Sequence, residues 1–122
     1  MESWHPPMGR PTVTTRIITD DPVGLVDFLG QVFGVEGEAP GDRPIELYFG
    51  DSLVMVSDGG GVHSPAAAFL MVYVDDADAV YARAVAAGAT ATEEPTDMPW
   101  GDRRATVRDG WGNTWQIATS HC

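Results

Sequence analysis

The sequence predicts an α+β domain of two βαβββ modules, whose curved mixed sheets surround a central cup with the helices outside. Three observations predict it. An Asp-Asp pair opens a helix twice, at Asp20-Asp21 and at Asp75-Asp76. A glycine closes each helix, Gly34 thirteen residues after Asp21 and Gly88 twelve after Asp76. Each half then ends in strands joined at a glycine-led turn, Gly50-Asp51 or Gly112-Asn113. Two copies are too few for a solenoid, so a paired-module body is expected.

The elements follow in order. Residues 1–11 form an N-terminal tail, and residues 12–122 a single domain with modules at 12–57 and 67–119 and a linker at 58–66. Thr12–Thr19, dense in β-branched residues, predicts a strand. Asp20-Asp21-Pro22 predicts a helix start, because a carboxylate caps free N–H groups and proline at the first helical position loses nothing. Leu25, Phe28, Leu29, Val32 and Phe33 recur at helical spacing up to Gly34. Ile45–Phe49 and Leu53–Val56 predict a hairpin. In the second half Ala67–Val74 predicts a strand, and Asp75-Asp76 caps a helix burying Val80, Ala84 and Val85. Ala89–Thr92, Arg103–Arg108 and Thr114–Ala118 predict three more strands, with Glu93-Glu94-Pro95 as a solvated loop.

The 122 residues carry 18 acidic and 7 basic side chains, for a net charge of −11. The imbalance runs through the chain, with ten acids against three arginines in residues 1–61 and eight against four in 62–122. Such a field repels a phosphate backbone, which argues against nucleic acid as a partner, and it attracts cations. No apolar run reaches the ~20 residues of a membrane span. The one cysteine, Cys122, has no partner for a disulfide, and the N-terminus lacks the apolar core of a secretory signal, so a cytoplasmic location is expected.

Particular words sharpen this. TTRIITDDPVGLVDFLGQVFG, LYFGDSLVMVSD, MVYVDDADAVYARAVAAGA and PWGDRRATVRDGWGNTWQIAT together span most of residues 12–119. The chain resembles the vicinal oxygen chelate superfamily of glyoxalases, bleomycin-resistance proteins and extradiol dioxygenases. The last two words look like its small PhnB-like branch, with Gly110 where the usual turn has proline. The resemblance implies a divalent metal held by His and Glu side chains, one on each of four inner strands. Carried over, those positions fall on Thr14, Met55, Phe69 and Gln116. A hydroxyl, a thioether, a phenyl ring and an amide lack the charge and basicity such a metal requires. His5, His63 and His121 lie in a tail, the linker and the C-terminus. No metal or other cofactor is therefore expected. The Asp75-Asp76-Ala77-Asp78 run lacks the glycine and glutamate of a calcium loop, and the glycine run at 59–61 opens no helix.

Residues two apart share a face of a strand. With Thr14 inward, Arg16 and Ile18 line the cup while Val13 and Ile17 pack under the helices. Phe69, Met71 and Tyr73 line it on the other side, Leu70, Val72 and Val74 turning to the core, and Gln116 lies beside Thr114. Trp100 and Trp111 are expected on loops at the mouth. The expected binding residues are Thr14, Arg16, Met55, Phe69, Met71, Tyr73, Trp100, Trp111 and Gln116. Apolar walls with a few polar groups suit a small organic ligand, planar or cationic. Sequestration of an antibiotic or metabolite without a metal is the leading expectation. A metal-independent isomerase, cyclase or lyase using Tyr73, Arg16 or Gln116 is the second, and a metal-dependent lyase or transferase the third. Relatives of this length resemble half of a two-cup body, which implies a homodimer with Trp100, Trp111 and the Trp4 segment as contacts.

Overall fold

The computed structural model describes residues 10–37 and 43–121. The first module contains β1 (Thr15–Ile18), α1 (Pro22–Phe33), β2 (Ile45–Phe49) and β3 (Ser52–Ser57). A short 3-10 turn (Gly59–Gly61) precedes the second module, with β4 (Phe69–Tyr73), α2 (Ala77–Ala86), β5 (Thr90–Asp97), β6 (Asp102–Arg108) and β7 (Thr114–Ser120). The sheets run β1-β3-β2 and β4-β7-β6-β5. In each, the first strand lies parallel to the last, and the penultimate strand pairs antiparallel on the far side. The repeat is thus present in the hydrogen-bond ladder itself.

The expected pair of four-stranded sheets is corrected in one half. Among the described residues the first sheet has three strands, and β5 has no counterpart there. Val35–Gly37, where that strand would begin, is unpaired coil, and residues 38–42 lie outside the described residues.

Both helices start as the Asp-Asp pairs require. Asp21 accepts the Gly24 N–H at 3.0 Å with Pro22 opening α1, and Asp76 accepts the Ala79 N–H at 3.1 Å. Gly34 ends α1 at φ 73°, a left-handed turn that costs glycine no steric strain. One face of each helix is buried, Leu25, Phe28, Leu29 and Val32 on α1 and Ala77, Val80 and Ala84 on α2. Val85, expected to face the core, is instead 42% exposed.

These faces meet Ile17, Ile45, Leu47, Val54, Val56, Val107, Trp115 and Ile117 from both sheets in one core. Each such aliphatic side chain contributes about 1.5–3 kcal/mol by leaving water. Trp115, fully buried, lies 5.4 Å from Phe33 and 5.9 Å from Phe49, ring centre to ring centre, which ties the modules together. Val13 does not join them. It precedes β1, so the strand's alternation never reaches it, and it stands 82% exposed.

The last hairpin is held by one buried carboxylate. Asp109 accepts the backbone N–H groups of Trp111 and Asn113 and the side-chain N–H groups of Asn113 and Trp115, all at 2.8–2.9 Å. An isolated bridge between Ile18 and Ala66 brings the end of β1 beside the start of β4, so the two sheets are neighbours there. No helix among the described residues is long and apolar enough to cross a membrane.

Candidate functional site

Each sheet turns one face to the core and leaves the other open. On the second sheet the register places Phe69, Thr114 and Arg108 in one row of the open face. Met71, Gln116, Thr106 and Glu93 form the next row, and Tyr73, Ala118, Arg104 and Thr96 the third. The alternation expected for β4 holds: Leu70 and Val72 pack on the core while Phe69, Met71 and Tyr73 are 67%, 46% and 58% exposed. Side chains this apolar and this exposed in one line are costly for a protein with nothing to bind.

Beside this ridge stands a carboxylate, Asp102, only 7% exposed. Its Oδ2 accepts the Tyr73 hydroxyl at 3.0 Å and the Trp100 indole N–H at 3.2 Å. One oxygen thereby fixes two aromatic rings that flank the open face, and Trp100 remains 59% exposed. The Arg104 guanidinium lies 5.8 Å from the centre of the Trp100 ring, within cation–π range.

Arg104 also forms a two-pronged pair with Glu93, both contacts at 2.9 Å, and Thr106 Oγ1 donates to the same carboxylate at 2.9 Å. The Arg104 hydrogen bonds hold the Glu93 carboxyl below the ordinary carboxylate range, against partial burial that pushes the other way. The same pairing raises the Arg104 guanidinium. The stretch Glu93-Glu94-Pro95, expected to be a loop, is thus part of β5 and supplies an ordered anion. Asp102, Glu93, Arg104 and Arg108 were not expected in the site. For Asp102, Arg104 and Arg108 the signal was the alternation of Arg104, Thr106 and Arg108 with Ala105 and Val107, whereas Glu93 carried none.

On the first sheet Arg16, Met55 and Glu46 share one row of the open face. Arg16 is exposed and donates to Ser57 Oγ at 3.2 Å, while Glu46 pairs with Arg10. Thr14 is half-buried just before β1. A cleft of about 900 Å³ lies between the β2–β3 hairpin and β4, and it takes in Tyr48, Phe49, Leu70 and Trp115. Of the nine expected binding residues it includes only Met71 and Tyr73, so the cleft and the open face meet along β4.

Trp111 is placed elsewhere. Its ring packs 5.8 Å from Phe28 of α1 and its indole N–H reaches Asp21 at 3.3 Å, on the helix side of the sheet. Asp109, by binding the Trp111 backbone, pins the turn in that position. Trp4 and His5 lie outside the described residues.

The four positions that would carry a metal hold Thr14, Met55, Phe69 and Gln116, and the register sets Met55 beside Arg16 and Gln116 beside Met71. Among the described residues none of the register partners of Met55, Phe69 and Gln116 is a histidine. Among the described residues no three His, Cys, Asp or Glu side chains gather in a way that could hold a metal ion. This donor set does not fit a divalent transition metal.

Comparison with known proteins agrees with the architecture. The family model described as "Glyoxalase/Bleomycin resistance protein/Dioxygenase superfamily" matches residues 12–117. The uncharacterised protein Mb0911c of Mycobacterium bovis is 31% identical over 125 residues, covering 88% of this chain and 82% of its own. The crystal structure of TioX from Micromonospora sp. ML1 superposes with a TM-score of 0.75 at 29% identity, over 90% of this chain and 98% of that one. TnmS3, an antibiotic binding protein from Streptomyces sp. CB03234, shares the fold at a TM-score of 0.71 and 23% identity, over 90% and 97% of the two chains. The ladder of two repeated modules, the family match and these superpositions lead to one conclusion: the chain belongs to the glyoxalase/bleomycin resistance protein/dioxygenase superfamily.

Proposed function

We propose that this protein binds a planar small organic molecule, such as an antibiotic or aromatic metabolite, on the open face of its second sheet without a metal. The observation that carries this reading is the exposed ridge of Phe69, Met71 and Tyr73 beside Trp100, with Asp102 holding two of its rings in place. Rings fixed in advance lose little entropy when a flat ligand stacks on them. TnmS3, described as an antibiotic binding protein, is built on the same fold, so the fold can serve this role.

The binding reading is preferred over a metal-independent enzyme for a chemical reason. Glu93 is the carboxylate best placed for proton transfer, and Arg104 stabilises its charged form, which makes it a weak base. Gln116 and Thr106 beside it can orient a ligand but cannot take up a proton at neutral pH. In our reading the chain sits in the PhnB-like branch and acts in the cytoplasm as a homodimer. A second copy would wall in the open face and cover apolar surface, including Tyr48 at 45% exposure.

Two measurements test this. Native mass spectrometry of protein purified from its own host should show a co-purifying small molecule, released unchanged on denaturation. Titration with planar aromatic antibiotics should quench tryptophan emission saturably and raise the melting temperature, a stabilisation of about 2.7 kcal/mol at a hundredfold excess over Kd. Failure of a broad panel to give saturable quenching, or recovery of the ligand as a converted product, refutes it. Sedimentation that shows only monomer at high micromolar concentration refutes the dimer.

A further inference from the structure

The arginines of this chain differ in how they are partnered. Arg103 pairs with Asp78 and Asp97, Arg104 with Glu93 and Arg10 with Glu46. Arg83 Nε donates to the Val32 carbonyl at 3.2 Å between the two helices. Arg43 lies in the connection before β2. The two that remain, Arg16 and Arg108, are both exposed, both lie on open-face positions, and neither has an ion pair among the described residues. Eighteen acids are available to seven arginines, so a shortage of carboxylates does not explain this. Arg16 spends one N–H on Ser57, and a guanidinium has five donors in a planar fork.

Phe69 connects the two. It shares a row with Thr114 and Arg108, so the arginine lies two strands away on the same face. On its other side, β4 is the edge of its sheet, and the Ile18–Ala66 bridge sets the start of β4 against the end of β1, which carries Arg16. Arg108 thus lies two strands from Phe69 on one side and the strand that carries Arg16 lies on the other, and neither guanidinium has an ion pair among the described residues. A flat ring stacked on Phe69 would direct a substituent toward either one.

We infer that the ligand carries an acidic group, a carboxylate or another planar or tetrahedral oxyanion, and that Arg16 and Arg108 read it. This deepens the binding reading above and rests on it. The guanidinium fork matches such oxyanions two bonds at a time. The net charge of −11 opposes an anion at long range, but screening over about 8 Å at physiological ionic strength leaves the contact partners to decide. The acidic composition, which attracts cations at long range, does not by itself decide what this face binds.

The experiment uses three matched probes, anthracene-9-carboxylate, 9-anthracenemethanol and 9-anthracenemethylammonium, titrated by energy transfer from tryptophan. The carboxylate is expected to bind about tenfold or more tighter than the alcohol, and the ammonium weakest, since a hydrogen bond to a charged group is worth that much. Arg16→Gln and Arg108→Gln should each weaken the carboxylate about tenfold and the alcohol far less, since a neutral acceptor gains less from a guanidinium. Both side chains are exposed, and unchanged melting curves confirm folded variants. Arg16→Lys should restore only part of the loss, because charge returns without the fork. If the ammonium binds as tightly as the carboxylate, or the variants weaken all three probes alike, the inference is overturned while binding stands. If the variants shift the sedimentation coefficient and not the affinities, the arginines serve an interface and the inference is overturned. If no probe binds saturably, the inference and the binding reading fall together.

Discussion

The same truncation at two phenylalanines separates the binding face from the core. Phe28 is 5% exposed, sits in the core face of α1 and meets the Trp111 ring at 5.8 Å. Phe28→Ala leaves a cavity and should cost about 3–5 kcal/mol. Phe69 is 67% exposed, so only about a third of its surface contributes to folding, and Phe69→Ala should cost about 1 kcal/mol. For a chain of 122 residues each kcal/mol moves the melting temperature by about 4 °C. Thermal and urea melts should therefore show a large loss for Phe28→Ala and a loss near 4 °C for Phe69→Ala. Ligand titration should rank them the other way. Phe69→Ala should weaken a planar ligand about fivefold or more, as loss of a stacking partner does, while Phe28→Ala, at temperatures where it remains folded, binds nearly normally. An equal loss of stability at both positions, with binding unaffected at Phe69, would refute the assignment of β4's exposed side as a binding surface.

Asp109→Ala removes the acceptor of four N–H groups, two of them on the buried Asn113 and Trp115 side chains, and should cost more than about 3 kcal/mol in urea melts. Glu93 has a folded-state value depressed by Arg104, so its stabilisation is fully present above the ordinary carboxyl range near 4.5 and is lost as pH falls through the lower folded value. Arg104→Met should flatten that acid limb in pH-dependent melts, whereas an unchanged limb would show that the pair contributes nothing. Incubation with a chelator should leave the melting temperature and tryptophan emission unchanged, and elemental analysis should find no stoichiometric Zn, Ni, Fe or Mn; one such metal per chain near Thr14, Met55, Phe69 and Gln116 would overturn the metal-independent reading.

Much of the fold was legible because local chemistry decided it. The capping carboxylates at Asp21 and Asp76, the left-handed glycine at position 34 and the two-residue alternation of β4 each depend on neighbours in sequence, and each appears where the residues put it. What was not legible depends on distant partners. Glu93-Glu94-Pro95 has the composition of a loop, yet proline is tolerated there because β5 is an edge strand and its register shifts on either side of Glu93. Trp111 follows a turn that points toward the mouth on paper. Its position is set by Asp109 and Phe28, contacts that no spacing rule reveals. The site was half visible for the same reason: the apolar ridge follows from alternation, but the pairings that leave Arg16 and Arg108 without a carboxylate among the described residues are tertiary.

The alternation on β4, β6 and β7 also makes the molecule editable. Positions 69, 71, 73, 104, 106 and 116 face outward, and their immediate chain neighbours 70, 72, 105, 107, 115 and 117 face the core. A library that randomises the first set while fixing the second changes what the surface recognises and leaves the packing that folds the chain in place. Selection on ligand and selection on core packing then act on interleaved residues, with the Arg104–Glu93 pair shared between ligand recognition and stability. One backbone can be turned toward new compounds a strand position at a time, without passing through unfolded intermediates.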